Sequence, residues 1–164
     1  MFMGRAVIPV KILKAFGEWK PGDMVLMEDW KAKELFESGI VEIIDEVEKI
    51  IIELDKAIGD EKDNRPLVDI DETLYDRAEF YIYYLNRILE NPQYLSPEAL
   101  KAYLAKLSNL KSKYDDLKRI RFNKILKAVM LRPNSLEILS RLAPKERELY
   151  LKMSKIRISW LGEE

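Results

Sequence analysis

Residues 96–131 read SPEALKAYLAKLSNLKSKYDDLKRIRFNKILKAVML. Within them Leu100, Leu104, Leu107, Leu110, Tyr114, Leu117, Ile125 and Val129 recur at mixed three- and four-residue steps, one face of a long α-helix. Ser96 followed by Pro97 is an N-cap and first-turn pair, and Arg132-Pro133-Asn134-Ser135 ends the run near Leu131. At 1.5 Å per residue such a helix spans roughly 50 Å. A wide apolar stripe on a helix of that length needs other long helices to cover it, so the stretch predicts a bundle.

The flanking segments supply them. Upstream, Val47, Ile50, Ile51, Leu54 and Ile58 form one helical face, which Gly59 to Pro66 is expected to break as a mobile polar linker. Leu74, Ala78, Tyr81, Leu85 and Ile88 stripe the next helix, closed by Asn91-Pro92. Downstream, a short helix is expected over Leu136 to Leu142. Pro144 then opens a last one, on which Leu149, Met153, Ile156 and Trp160 share a face.

The opening of the chain differs. Ala6 to Leu13 reads as a strand, with Pro9 tolerable only at an edge or bulge. Pro21-Gly22 fits the centre of a type II turn, with strands at Met24 to Met27 and Ile40 to Ile44. Between the last two, Asp29 is placed to cap a short helix, Trp30 to Ser38, which Gly39 terminates. The fold class expected is α+β: a small β-rich domain over residues 1–45, then a helical bundle domain over 46–164 with a polar linker near 59–71. At about 45 residues the β module has a marginal core and must lean on other structure.

Of 164 residues, 48% are hydrophobic, enough for a real core, and none is His or Cys. Their absence excludes cysteine nucleophiles, Ser-His-Asp triads, thiolate or imidazole zinc sites and disulfides. Asp69 and Asp71, with Glu72 beside them, hint at a magnesium site. No phosphate-binding loop accompanies them, and an acidic linker capping the next helix explains them better. No catalytic, cofactor or metal residue is therefore assigned. No apolar run approaches the about 20 residues of a membrane span, and Met1-Phe2-Met3-Gly4-Arg5 lacks the apolar core of a secretory signal. A soluble intracellular protein is expected. Charged residues reach 35%, with abundant Lys, Glu and Ile, a mix that suits life at high temperature.

The formal net charge of −1 conceals an asymmetry. Residues 45–79 carry 5 basic and 13 acidic side chains, net −8, whereas residues 101–164 carry 16 and 7, net +9. Either internal pairing or a charge-matched partner follows, with nucleic acid as the alternative. Lys111, Lys113, Lys118, Arg119, Arg121, Lys124 and Lys127 are the candidate partner or nucleic-acid contacts. Arg119, Ile120, Arg121 and Phe122 are consecutive and point round the helix, so some of these cations must face inward or towards a partner. Tyr75, Phe80, Tyr81, Tyr83 and Tyr84 crowd more than one side of their helix. They are candidates for a subunit interface, where Tyr is enriched, against a thick core that takes them all.

Three stretches carry a family resemblance. Asp115-Asp116-Leu117-Lys118-Arg119-Ile120-Arg121-Phe122-Asn123-Lys124-Ile125-Leu126 resembles the basic helix of the helical A domain of GINS subunits. Leu142-Ala143-Pro144-Lys145-Glu146-Arg147-Glu148-Leu149-Tyr150 resembles the start of that domain's last helix, and Leu74 to Leu89 its early aromatic helix. The opening module, through Trp19-Lys20-Pro21-Gly22-Asp23, Val25-Leu26, Trp30-Lys31-Ala32, Leu35 and Ile40-Val41, is similar to the family's small B domain. Its place before the helices resembles the archaeal Gins23 type. The resemblance implies a non-catalytic replication subunit, cytoplasmic and nucleoid-associated. It would pair with a second GINS subunit in a heterotetramer and couple the MCM helicase to a RecJ/Cdc45-like protein, and to primase, at the replication fork. Any DNA contact would be weak or indirect, and no membrane is involved. The alternative is a free-standing nucleic-acid-binding protein using the basic helix 106–132.

Overall fold

The computed structural model describes residues 6–163. The Met1 to Arg5 segment, read above for a secretory signal, lies outside the described residues. The elements are β1 (Val7–Ile12), β2 (Met24–Glu28), α1 (Asp29–Glu37), β3 (Val41–Ile43), α2 (Val47–Asp63), α3 (Leu74–Leu89), α4 (Pro97–Leu131), α5 (Leu136–Ser140) and α6 (Pro144–Leu161). A small three-stranded antiparallel sheet precedes a helical bundle, the α+β class expected. The chain packs as two compact units, Met1–Ile50 with Thr73–Lys111, and Ile51–Glu72 with Ser112–Glu164.

In the first unit the strand order is β2-β1-β3. Alternation along β1 buries Ile8, Val10 and Ile12, while Val41 and Ile43 of β3 and Met27 of β2 are buried too. Ala32 and Leu35 give α1 its buried side. Gly39 ends that helix with φ +73°, the left-handed residue that lets its own N–H reach Phe36 O and Ile40 N–H reach Leu35 O. The cap at the other end is Glu28 rather than Asp29, which stands one residue inside and accepts the Trp30 N–H at 2.7 Å.

Pro9 corrects the sequence reading. It lies in the central strand, opposite Leu26 of β2. The register of β1 against β3 puts Ile44 opposite Pro9, and Ile44 N–H donates to Pro9 O at 3.1 Å. The return bond needs an N–H that proline lacks. Tyr81 of α3 provides it instead, its hydroxyl donating to Ile44 O at 2.6 Å. A proline is tolerated in the central strand because a side chain from a helix replaces the missing rung.

In the second unit a cluster of Leu67, Ile125, Val129, Leu142 and Tyr150 forms a core, with Ala128, Ile138, Leu139, Leu149 and Met153 packed against it. The break expected at Gly59 falls instead after Asp63. A helical glycine costs about 1 kcal/mol relative to alanine, but Leu54, Ile58 and Glu61 continue one buried stripe through it. On α6 the core-facing residues are Tyr150 and Ser154, so the Leu149, Met153, Ile156 and Trp160 face is a flank, half-buried at its start and exposed at its end. Tyr150 Oη accepts the Ser135 N–H at 2.9 Å and donates to Arg132 O, while Ser154 Oγ accepts the Asn134 N–H at 3.2 Å. These bonds hold the sharp turn between α4 and α5, where Asn134 has φ +55°.

The replaced rung is testable by a double-mutant cycle. Tyr81→Phe leaves a buried carbonyl without its donor and should cost about 1–2 kcal/mol in urea unfolding. Pro9→Val restores a backbone donor and should reduce that cost; equal losses in the two backgrounds would contradict the geometry.

Candidate partner-binding surfaces

The basic stretch of α4 divides into cations that serve the fold and cations that face solvent. Arg121 is 1% exposed. Its guanidinium is bidentate on Glu146, Nε to Oε2 at 2.6 Å and Nη2 to Oε1 at 2.8 Å. Nη1 donates to Glu61 Oε1 and to Val68 O at 2.7 Å, and Nη2 also reaches Arg141 O at 3.0 Å. Glu146 Oε1 in turn accepts the Ala143 N–H at 2.9 Å, which closes the first turn of α6. Lys124 donates to the Glu61 carboxylate, and to the carbonyls of Glu61 at 2.7 Å, Asn64 at 2.8 Å and Pro66 at 3.0 Å. Two buried carboxylates thus meet two cations, and the planar fork of arginine suits this geometry better than lysine would.

This network corrects two expectations. Arg121 and Lys124 have their donors committed within the chain, so neither offers a free charge to a partner or to DNA. The residues after α2 are held rather than loose, because Lys124, Arg121 and Arg141 (Nη1 to Leu67 O at 3.1 Å) bind successive carbonyls of the 64–68 segment. One signal in the sequence pointed to Arg121. It stands four residues after Leu117 and four before Ile125, within the apolar stripe rather than beside it.

The remaining candidates divide further. Lys113 pairs with Asp55 at 2.8 Å. Lys111, Lys118, Arg119 and Lys127 are exposed, with Lys118 Nζ 4.9 Å from the centre of the Tyr114 ring. At about 100° per residue, Lys118 and Arg119 diverge by that angle, and Lys118 and Lys127 stand about 180° apart. They form no single stripe along a backbone of phosphates. Asp69 and Asp71 are exposed, and Glu72 pairs with Arg147 at 2.6 Å. Among the described residues no group of three or more acidic side chains is placed to hold a metal ion.

The aromatic helix packs into its own unit. Tyr75, Phe80 and Tyr81 are buried, while Tyr83 and Tyr84 are half-buried. Phe36 and Tyr84 meet edge-on at 5.8 Å between ring centres, Tyr81 and Tyr84 at 5.9 Å, and Tyr83 Oη donates to Glu37 Oε1 at 2.7 Å. Side chains already out of water have little further area to give a partner, so any contact from this helix falls to Tyr83 and Tyr84. Burial raises all three hydroxyl pKa values above the ordinary tyrosine range. Tyr81 is helped by Glu46 and Asp45 and Tyr83 by its bond to Glu37, while Tyr84, with Asp45 nearby, is pushed up to about 12.

The second unit leaves apolar side chains uncovered. Ile156 is 68% and Trp160 86% exposed, one turn apart on α6. Met130 and Leu131 at the end of α4 are 65% and 82% exposed. Arg157 Nη1 donates to Val129 O at 2.7 Å, bringing the end of α4 beside this part of α6. A large aromatic and several aliphatic groups in water, close together on two helices, mark a contact surface. Among the described residues no helix is long and apolar enough to cross a membrane.

The second unit is thus a helical assembly held by a buried charge cluster, with apolar groups left uncovered at the end of α4 and on α6. The family model for the Sld5 helical bundle domain of GINS complex proteins matches residues 50–164, and the chain belongs to that family. Proteins of the family are structural, non-catalytic subunits of a DNA replication complex and assemble with one another. No curated protein matches the chain.

Two measurements probe these sites. Arg121→Ala takes the cation from Glu146 in the core, leaves Glu61 with Lys124 alone, and should cost about 3–5 kcal/mol in urea unfolding, whereas Arg121→Met combined with Glu146→Leu, which keeps the Glu61–Lys124 pair, should recover much of it. A double variant as unstable as the single one would argue against uncompensated charge as the cause. For the tyrosines, the fold favours the neutral phenol. The stability this gives is complete below about pH 10 and is lost as pH rises through about 12. Absorbance at the phenolate band should show Tyr81, Tyr83 and Tyr84 ionising late and together with unfolding; all eight tyrosines titrating together near pH 10 would refute the assignment.

Proposed function

We propose that the chain is the Gins23-type subunit of an archaeal GINS complex. Residues 1–45 act as its B domain and 46–164 as its A domain. It joins a second GINS subunit in a heterotetramer. The assembly holds the MCM helicase and a RecJ/Cdc45-like protein together at the replication fork, with primase as a further contact. The observation that carries the reading is the uncovered apolar surface of α6 and the end of α4, Ile156 and Trp160 above all, within the part of the chain that matches the family. Tyr83 and Tyr84 are the aromatic contacts proposed in the first unit, and the exposed Lys111, Lys118 and Arg119 are the cations proposed to meet a partner, charges that set approach rate and register more than affinity.

The exposed cations alone do not support the alternative of an independent nucleic-acid-binding protein, because they diverge round α4.

Co-expression with the second GINS chain, followed by mass determination of the purified complex, tests the reading. The wild-type chain should emerge as a hetero-oligomer. Ile156→Glu with Trp160→Glu should abolish assembly while shifting unfolding by no more than about 0.5 kcal/mol, as expected of exposed positions. A wild-type chain that stays monomeric beside GINS and MCM components would overturn it.

A further inference from the structure

A groove of about 850 Å³ opens in the second unit between the 64–67 segment, the last turns of α4 and α5. Its lining combines two chemistries. Leu67, Ala128, Leu131 and Ile138 give an apolar surface, and Arg65, Lys127, Arg132 and Arg141 surround it with positive charge. Glu137 is the one carboxylate in the lining, and it is shared by Arg132 at 3.1 Å and Arg141 at 3.5 Å. Arg65 and Lys127 are exposed and, among the described residues, make no ion pair. The groove therefore carries an uncompensated positive field around an apolar strip.

One wall is already fixed. Lys124 holds the Asn64 and Pro66 carbonyls and Arg141 holds that of Leu67, so a ligand would not have to order this wall on binding. No aromatic side chain lines the groove, which removes the stacking platform that single-stranded nucleic acid uses. Apolar floor and cationic rim together match a chain that alternates apolar and carboxylate side chains.

The geometry points to a docking groove for a short acidic peptide segment of a partner protein, one that seats a few apolar side chains on Leu131 and the uncovered part of Ile138 and sets its carboxylates against Arg65, Lys127 and Arg132. The groove shares Leu131 with the contact surface proposed above, but Ile156, Trp160 and Met130 are not in its lining and Arg65 and Lys127 belong to the groove alone, so the Arg65 and Lys127 variant tests it apart from assembly.

The test is fluorescence anisotropy of the 164-residue chain with a labelled peptide of about ten residues alternating Glu and Asp with Leu and Phe. Binding is expected, weakening steeply as salt rises to about 0.3 M. Arg65→Glu with Lys127→Glu should reduce it at least about tenfold, as loss of two rim charges implies. Those two side chains make no ion pair, so an unchanged melting curve verifies that the variant is folded. Leu131→Ser should weaken binding independently. Any of three results would overturn the proposal: no binding of the peptide; equal binding of a peptide with every Leu and Phe replaced by Ser; or tighter binding of an oligothymidylate that competes for the same charges. Self-association of the chain that disappears in the Arg65→Glu, Lys127→Glu variant would also overturn it, because the occupant would then be a second copy.

Discussion

The second unit is organised round one buried guanidinium. Arg121 takes two carboxylates and two carbonyls from four separate stretches of sequence, and no apolar side chain could hold them in the same way. Removing charges from water is expensive, and the cost is met only when every donor is matched. The matching requires α2 to continue past Gly59 until Glu61 is reached, α6 to begin where Glu146 can accept both Arg121 and its own first-turn amide, and the intervening segment to lie across α4. Local sequence preferences in each of these places are weak, and the charge cluster decides between them.

This also explains the charge map. The acidic middle and the basic C-terminal half are in large part each other's counterions: Lys113 with Asp55, Lys124 with Glu61 and Arg147 with Glu72. Lys106 with Asp45 does the same in the first unit. Most of these pairs are exposed and individually worth little. Their collective effect is to commit some of the basic helices' cations within the fold, while Arg65 and Lys127, side by side in the groove lining, stay outside such pairs.

Much of the architecture was legible because apolar periodicity reports directly on burial. The stripes of α3 and α4 were read to the residue at both ends, and the strands of the β module to within a residue or two. What escaped was decided by partners distant in sequence. Proline lacks a donor, which points Pro9 to an edge or a bulge, and nothing local reveals that Tyr81 supplies one. Gly59 to Asp63 reads as a linker in composition, and only the buried positive charge opposite makes Glu61 a core residue. The aromatic helix was the reverse case: its tyrosines suggested an interface, yet burial of Tyr75, Phe80 and Tyr81 in their own unit required knowing that the β module lay there to receive them. Leu149, Met153, Ile156 and Trp160 do share a face, but the buried side of α6 is the one carrying Glu146, Tyr150 and Ser154, about 100° round the helix, which the spacing of apolar residues alone does not reveal.

The hydroxyl that completes the sheet belongs to a residue 37 positions beyond the carbonyl it serves. On the ribosome the three strands emerge well before Tyr81 does. At 5–20 residues per second the wait is roughly 2–7 s. During that interval the sheet has every strand but lacks its last rung, with an unmatched carbonyl open to water. The N-terminal sheet therefore cannot make all of its hydrogen bonds before α3 has been synthesised. A chain cut short between the two would release a sheet with one carbonyl unmatched on the inner side of β3, facing a proline that has no N–H to give.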